Sequence, residues 1–131
     1  MPLVRIEVRN GKPAEYRRAI VDAVHQCMVS ERKAPADDRF QVIAEHDPDS
    51  LIYDPTYLNI QRSDEVIFIQ ITLNEGRTLE AKQRFYRAVA KALAARPGIR
   101  TEDVLINLIE VPKENWSFGE GIAQYAPEEK A

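Results

Sequence analysis

Slid against itself by 65 residues, the chain aligns without a gap from Pro2 to His46. Ile6 falls on Ile71, Gly11 on Gly76, Glu15 on Glu80, Ala23-Val24 on Ala88-Val89, Asp38 on Asp103 and Glu45 on Glu110. These identities are few, but the pattern beneath them is denser. Ile20, Ala23, Val24, Cys27 and Met28 lie over Phe85, Ala88, Val89, Ala92 and Leu93. That i, i+3, i+4, i+7, i+8 spacing draws one apolar stripe along each of two amphipathic helices. A duplication of this kind limits the fold strongly, because whatever one half builds the other builds again.

Each helix sits between strands. "PLVRIEV" alternates, with Val4, Ile6 and Val8 on one face, and "EVIFIQITL" does the same with Ile69, Ile71 and Leu73. "RFQVIAEH" follows the first helix and "DVLINLIEV" the second. Pro13 suits the first turn of helix one, Thr78 is placed to cap helix two, and Pro97-Gly98 stops it. The chain reads as one domain over residues 1–131, with β-α-β units at about 2–46 and 67–111 and an aromatic C-terminal tail. Right-handed crossovers make each strand pair parallel. The expected fold is α/β (α+β), a four-stranded sheet with two helices on one face.

Such a sheet leaves its other face bare. Leu3, Val66 and Phe68 are expected there among Arg5, Glu7, Gln70 and Thr72, a mixture too apolar for open water. Closed self-association is the simplest way to cover it. The insert "DPDSLIYDPTYLNIQRSD" reads as a loop or short hairpin, and the final "EEK" as a frayed, solvated run.

Composition removes several classes of function. A net charge of −3 gives no basic surface for nucleic acid or an anionic membrane. Apolar runs such as "VIFIQI" fall far short of the roughly 20 residues a membrane span needs. The start lacks a basic segment followed by an apolar one, and the lone Cys27 has no internal partner. Both features lead to an expectation of a cytoplasmic protein. His25 and His46 lack the spacing of a metal site, so structural roles are expected for them.

The opening "MPLVRIEV" leaves two readings of its proline. A proline is tolerated as the first residue of a strand, where its missing N–H costs nothing. Removal of the initiator methionine would instead leave Pro2 as a free secondary amine. An α-amino group titrates at roughly 7.7–8.0, close enough to neutrality for acid or base work.

Several motifs stand in order along the chain: the Met-Pro start, "DRF" before the second strand, "GRT" opening the second helix, and "WSFGxGxAQY" near the end. Together with the two β-α-β units they resemble the tautomerase superfamily, and within it the malonate semialdehyde decarboxylase group. The resemblance runs over nearly the whole chain. It implies a cofactor-free homotrimer with sheets packed inward and helices outside. It implies that Pro2 is the catalytic acid or base, and that Asp38 in "PADDRF" assists at the proline or at a bound water. Arg77 in "EGRT" would bind the substrate carboxylate, and Trp116, Phe118 and Tyr125 would form a substrate-binding aromatic wall around the proline. The implied substrate is a small keto or unsaturated carboxylic acid, turned over by tautomerisation, decarboxylation or hydration.

The chain departs from one form of the pattern. Some members carry two arginines flanking a proline before the second helix. Here "TLNEGRT" has Asn74 in the earlier arginine's place and keeps only Arg77. Plain structural readings stand beside each residue. Asp38 falls on Asp103, so both could simply open strands. Arg77 falls on Lys12 and could be a solvated first-turn residue, although a helix N-terminus disfavours a cation. Trp116 and Phe118 could belong to the core as well as to a pocket. The alternative to an enzyme is a trimeric binding or scaffold protein that kept the fold without its chemistry.

Overall fold

The computed structural model describes residues 2–126, so Met1 and the "EEK" run lie outside the described residues. Six main elements follow in order: β1 Leu3–Arg9, α1 Ala14–Arg32, β2 Gln41–His46, β3 Ile67–Asn74, α2 Leu79–Ala95 and β4 Val104–Val111. Alternation along β1 and β3 turns Val4, Ile6, Val8, Ile67, Ile69, Ile71 and Leu73 to one side. The stripes of α1 and α2 cover that side with Ile20, Val24, Met28, Phe85, Val89 and Leu93, and these residues form one core. Removing this apolar area from water is the main stabilisation of the fold.

The sheet order is β2-β1-β3-β4. β1–β2 and β3–β4 are parallel, as crossovers require, and the central β1–β3 pair is antiparallel. Val4 faces Gln41 and Ile67 faces Val104, an offset of 37 residues in each half. Arg5 faces its own repeat mate Gln70, so a local two-fold axis passes between them. Turn hydrogen bonds repeat as well. Asp38 N–H donates to the Pro35 carbonyl at 3.0 Å, and Asp103 N–H to that of Arg100 at 2.9 Å.

Helix ends follow local chemistry. Pro13 occupies the N-cap rather than the first turn of α1. The Thr78 hydroxyl accepts the Ala81 N–H at 3.1 Å, satisfying one free donor of α2. Past α2, the Gly98 and Ile99 N–H groups turn back to the Leu93 carbonyl at 3.0 and 2.9 Å. Gly98 has a φ of 100°, a conformation a side chain would strain.

The sheet face away from the helices carries Val42, Leu105 and Ile109, exposed by 42%, 43% and 39%, beside Leu3 and Phe68. Val66 departs from expectation and is buried. β3 begins only at Ile67, and the Val66 N–H closes a turn on the Ser63 carbonyl, so strand parity stops short of it. The insert forms a loop rather than a hairpin. Leu51 is buried beneath it, the Tyr53 hydroxyl donates to Asp64 at 2.6 Å, and one short helical turn spans Tyr57–Asn59. Among the described residues no helix is long and apolar enough to cross a membrane.

Candidate active site

Antiparallel pairing sets the start of β1 beside the end of β3, since Leu3 faces Thr72. A cavity of about 140 Å³ opens there, against the C-terminal end of α1. Pro2, Arg32, Asp38, Asn74, Arg77 and Tyr125 all line it. They come from the residue before β1, the last residue of α1, the turn before β2, the last residue of β3, the turn before α2 and the tail. Four of the six residues singled out from sequence therefore meet in one cavity.

The repeat supplies an internal comparison for Asp38. Its mate Asp103 sits in the same backbone turn, wholly buried, and accepts the Ser63 N–H at 2.7 Å and the Ser63 hydroxyl at 2.6 Å. Asp103 thus ties the insert to the start of β4. Asp38 is also buried, yet its Oδ1 has no hydrogen-bond partner among the described residues. Opening a strand explains Asp103 and leaves Asp38 unexplained. An unsatisfied buried polar group costs about 1–3 kcal/mol, which is easier to understand at a site than in a scaffold. Burial, helped by the Asp37 carboxylate, pushes the Asp38 carboxyl above its usual range.

The mate of Arg77 behaves just as differently. Lys12 pairs with Glu65 at 3.1 Å and lies over the Tyr16 ring at 5.6 Å. Arg77 is exposed and forms no ion pair among the described residues. A second cavity of about 220 Å³ occupies the two-fold related position, lined by Val8, Arg9, Lys12 and Ile67 where the first has Leu73, Asn74, Arg77 and Pro2. It is the larger, but its cations are matched, with Arg9 bound to Asp64 at 3.1 Å and Lys12 to Glu65. The cavity with unmatched groups is the candidate site.

Only one of the three expected aromatics lines the cavity. Tyr125 does, and burial followed by the nearby Asp38 carboxylate raises its phenol pKa. Trp116 and Phe118 stand one layer further out. The indole N–H of Trp116 donates to Asn74 Oδ1 at 2.8 Å, and the ring stacks on Phe118 at 5.2 Å. Phe118 meets Tyr125 edge-on at 5.1 Å. The pair braces two lining residues, Asn74 and Tyr125.

Arg32 was not anticipated. It is buried, its guanidinium carbon lies 4.9 Å from the Phe85 ring centre, and none of its three nitrogens has a partner among the described residues. The signal was present in the α1 stripe. The series Ile20, Val24, Met28 steps by four, and the next step lands on Arg32. The histidines, in contrast, hold the fold. His25 Nε2 contacts the Ala36 carbonyl at 2.9 Å, and His46 Nε2 the Glu7 carboxylate at 2.7 Å. Among the described residues no group of three or more His, Cys, Asp or Glu side chains could hold a metal ion.

Two models of the tautomerase enzyme family match, one over residues 38–119 and one over residues 2–60. The probable tautomerase YusQ of Bacillus subtilis is 41% identical over 124 residues, covering 95% of this chain and 98% of that protein. A crystal structure of FG41 malonate semialdehyde decarboxylase inhibited by 3-bromopropiolate is similar at a TM-score of 0.88 and 42% identity, covering 94% of this chain and 93% of that one. A second malonate semialdehyde decarboxylase, described for its decarboxylase and hydratase activities, reaches 0.87 at 31% identity over 94% and 95% of the two chains. In sequence and in fold, along nearly all of its length, the chain belongs to the tautomerase superfamily of enzymes, near the malonate semialdehyde decarboxylase group.

Proposed function

We propose that this enzyme acts on a small keto or unsaturated carboxylic acid with the Pro2 nitrogen, freed by loss of Met1, as its acid or base. The convergence of Pro2, Asp38 and Arg77 on one small cavity carries this reading. Arg77, at the exposed edge, offers a planar fork of donors to a carboxylate. Pro2 works in one of two protonation states. As a neutral amine it takes a proton from the carbon beside a carbonyl, the electron pair moves into an enolate, and the proton returns at another carbon. That is tautomerisation. As a cation it hydrogen-bonds the carbonyl of a β-keto acid while the bond to the carboxylate breaks. CO₂ leaves, the electron pair passes to the enolate, and the enolate takes up a proton. Asp38 favours the cation, whereas the surrounding guanidinium groups and aromatic rings favour the neutral amine. Asp38 lines the same cavity, so its carboxyl is the side chain placed to exchange a proton with Pro2 or with a water.

The test is a proton NMR screen of 2-oxo, 3-oxo and halogenated acrylic acids with Met-free protein. Turnover of at least one class is expected, and complete inertness across the set would leave only a silent scaffold of the same fold.

The bare sheet face completes the proposal. Leu3, Val42, Phe68, Leu105 and Ile109 form an apolar surface on one side of one sheet. Packing three copies with these faces inward buries it and leaves the helices outside. Sedimentation at micromolar concentration is expected to give a trimer. A stable monomer would overturn this arrangement.

A further inference from the structure

We propose that Arg32 is a second substrate-binding residue and that, with Arg77, it makes the cavity a site for short dicarboxylates. The proposal rests on reading this cavity as a carboxylic-acid site. A guanidinium is always charged and carries five N–H donors, so burying it without a counter-charge is among the least favourable placements a side chain can have. Arg32 is placed this way, 6% exposed with all three nitrogens unpartnered among the described residues. Its one close contact, the face of Phe85, offers a weak attraction that does not replace an anion. Burial and then the nearby Arg77 charge lower its pKa, so the two cations also repel each other.

The cavity's own acid does not resolve this imbalance. Among the described residues Asp38 is the only carboxylate lining the cavity, no hydrogen bond joins it to Arg32, and burial pushes its pKa upward rather than down. Among the described residues two guanidinium groups at different depths, one exposed and one buried, have no anion paired with them. A molecule with a carboxylate at both ends supplies both. Size sets the chain length, since a cavity of roughly 150 Å³ accommodates benzene, so a diacid of about four carbons fits 140 Å³. Chemistry favours the same class. Gripping a carboxylate that is about to leave stabilises the ground state, whereas gripping a second, unreactive one orients the substrate without that penalty.

The measurement is calorimetric binding of succinate and butyrate, which share a carbon count and differ in one carboxylate. Neither has a reactive carbonyl, so the result does not depend on Pro2 chemistry. Succinate is expected to bind at least about tenfold tighter than butyrate, as one charged contact would give. Arg32→Met is expected to erase that preference, spare butyrate binding and leave the unliganded thermal midpoint unchanged or higher, because a desolvated cation has been removed. Equal binding of the two acids, or a preference that survives Arg32→Met, overturns the assignment. So does a variant that melts earlier or fails to fold, since Arg32 would then be structural. Selective succinate binding in a protein whose turnover ignores Pro2 would sink the acid–base mechanism and leave Arg32 in place.

Discussion

Pro2→Ala is expected to lower turnover by about 10²-fold or more, the usual scale for a displaced acid–base group, with trimer and thermal midpoint retained. Alanine still permits removal of the initiator methionine, so processing is the same in both proteins. It keeps a terminal nitrogen but makes it primary, which changes basicity and direction together. As the residue just before β1, Pro2 contributes no N–H to the ladder, so the fold loses little when it is replaced. A propiolate, as a Michael acceptor, is expected to add to the wild-type amine and appear as a mass increment on the first peptide. A preparation that retains Met1 has an acylated Pro2 nitrogen and should show neither label nor turnover. Full activity in that preparation would remove Pro2 from the mechanism.

The second large effect is expected at Arg77. Arg77→Ala should cost on the order of 2–4 kcal/mol in kcat/KM, mostly through KM, as loss of a charged partner for a carboxylate does. Stability should hardly move. Arg77 is exposed, forms no ion pair among the described residues, and precedes a helix whose cap is supplied by Thr78 instead. Kinetics unchanged with the preferred acid would take Arg77 out of the site.

Much of this molecule is legible in its sequence, because most of what builds it is periodic. The stripes of α1 and α2 and the alternation of β1 and β3 recur at a constant offset of 65 residues, and the two parallel pairs accordingly share one register. What escaped depends on contacts distant in sequence. Asp38 and Asp103 look alike along the chain, and only Ser63, reaching across from the insert, makes one of them structural. Arg32 reads as an ordinary charge near a helix end until α2 places Phe85 against it. Val66 was misplaced because strand alternation was extended one residue too far into a turn. Trp116 and Phe118 were expected at the wall and brace it from behind, a difference set by a tail with no periodicity to read.

The two-fold axis at Arg5 and Gln70 relates two cavities that have gone different ways. In an assembly of separate half-length chains, any substitution falls on both related sites at once. Joining the halves in one chain removes that coupling, so each can change alone. The half around Asp103, Lys12 and Glu65 has taken up ion pairs and hydrogen bonds that bind the insert and hold the sheet. Its counterpart keeps, among the described residues, an unsatisfied carboxyl and two unpaired guanidinium groups. Duplication here allows a division of labour, with one copy able to keep unpaired groups while the other holds the sheet and insert together.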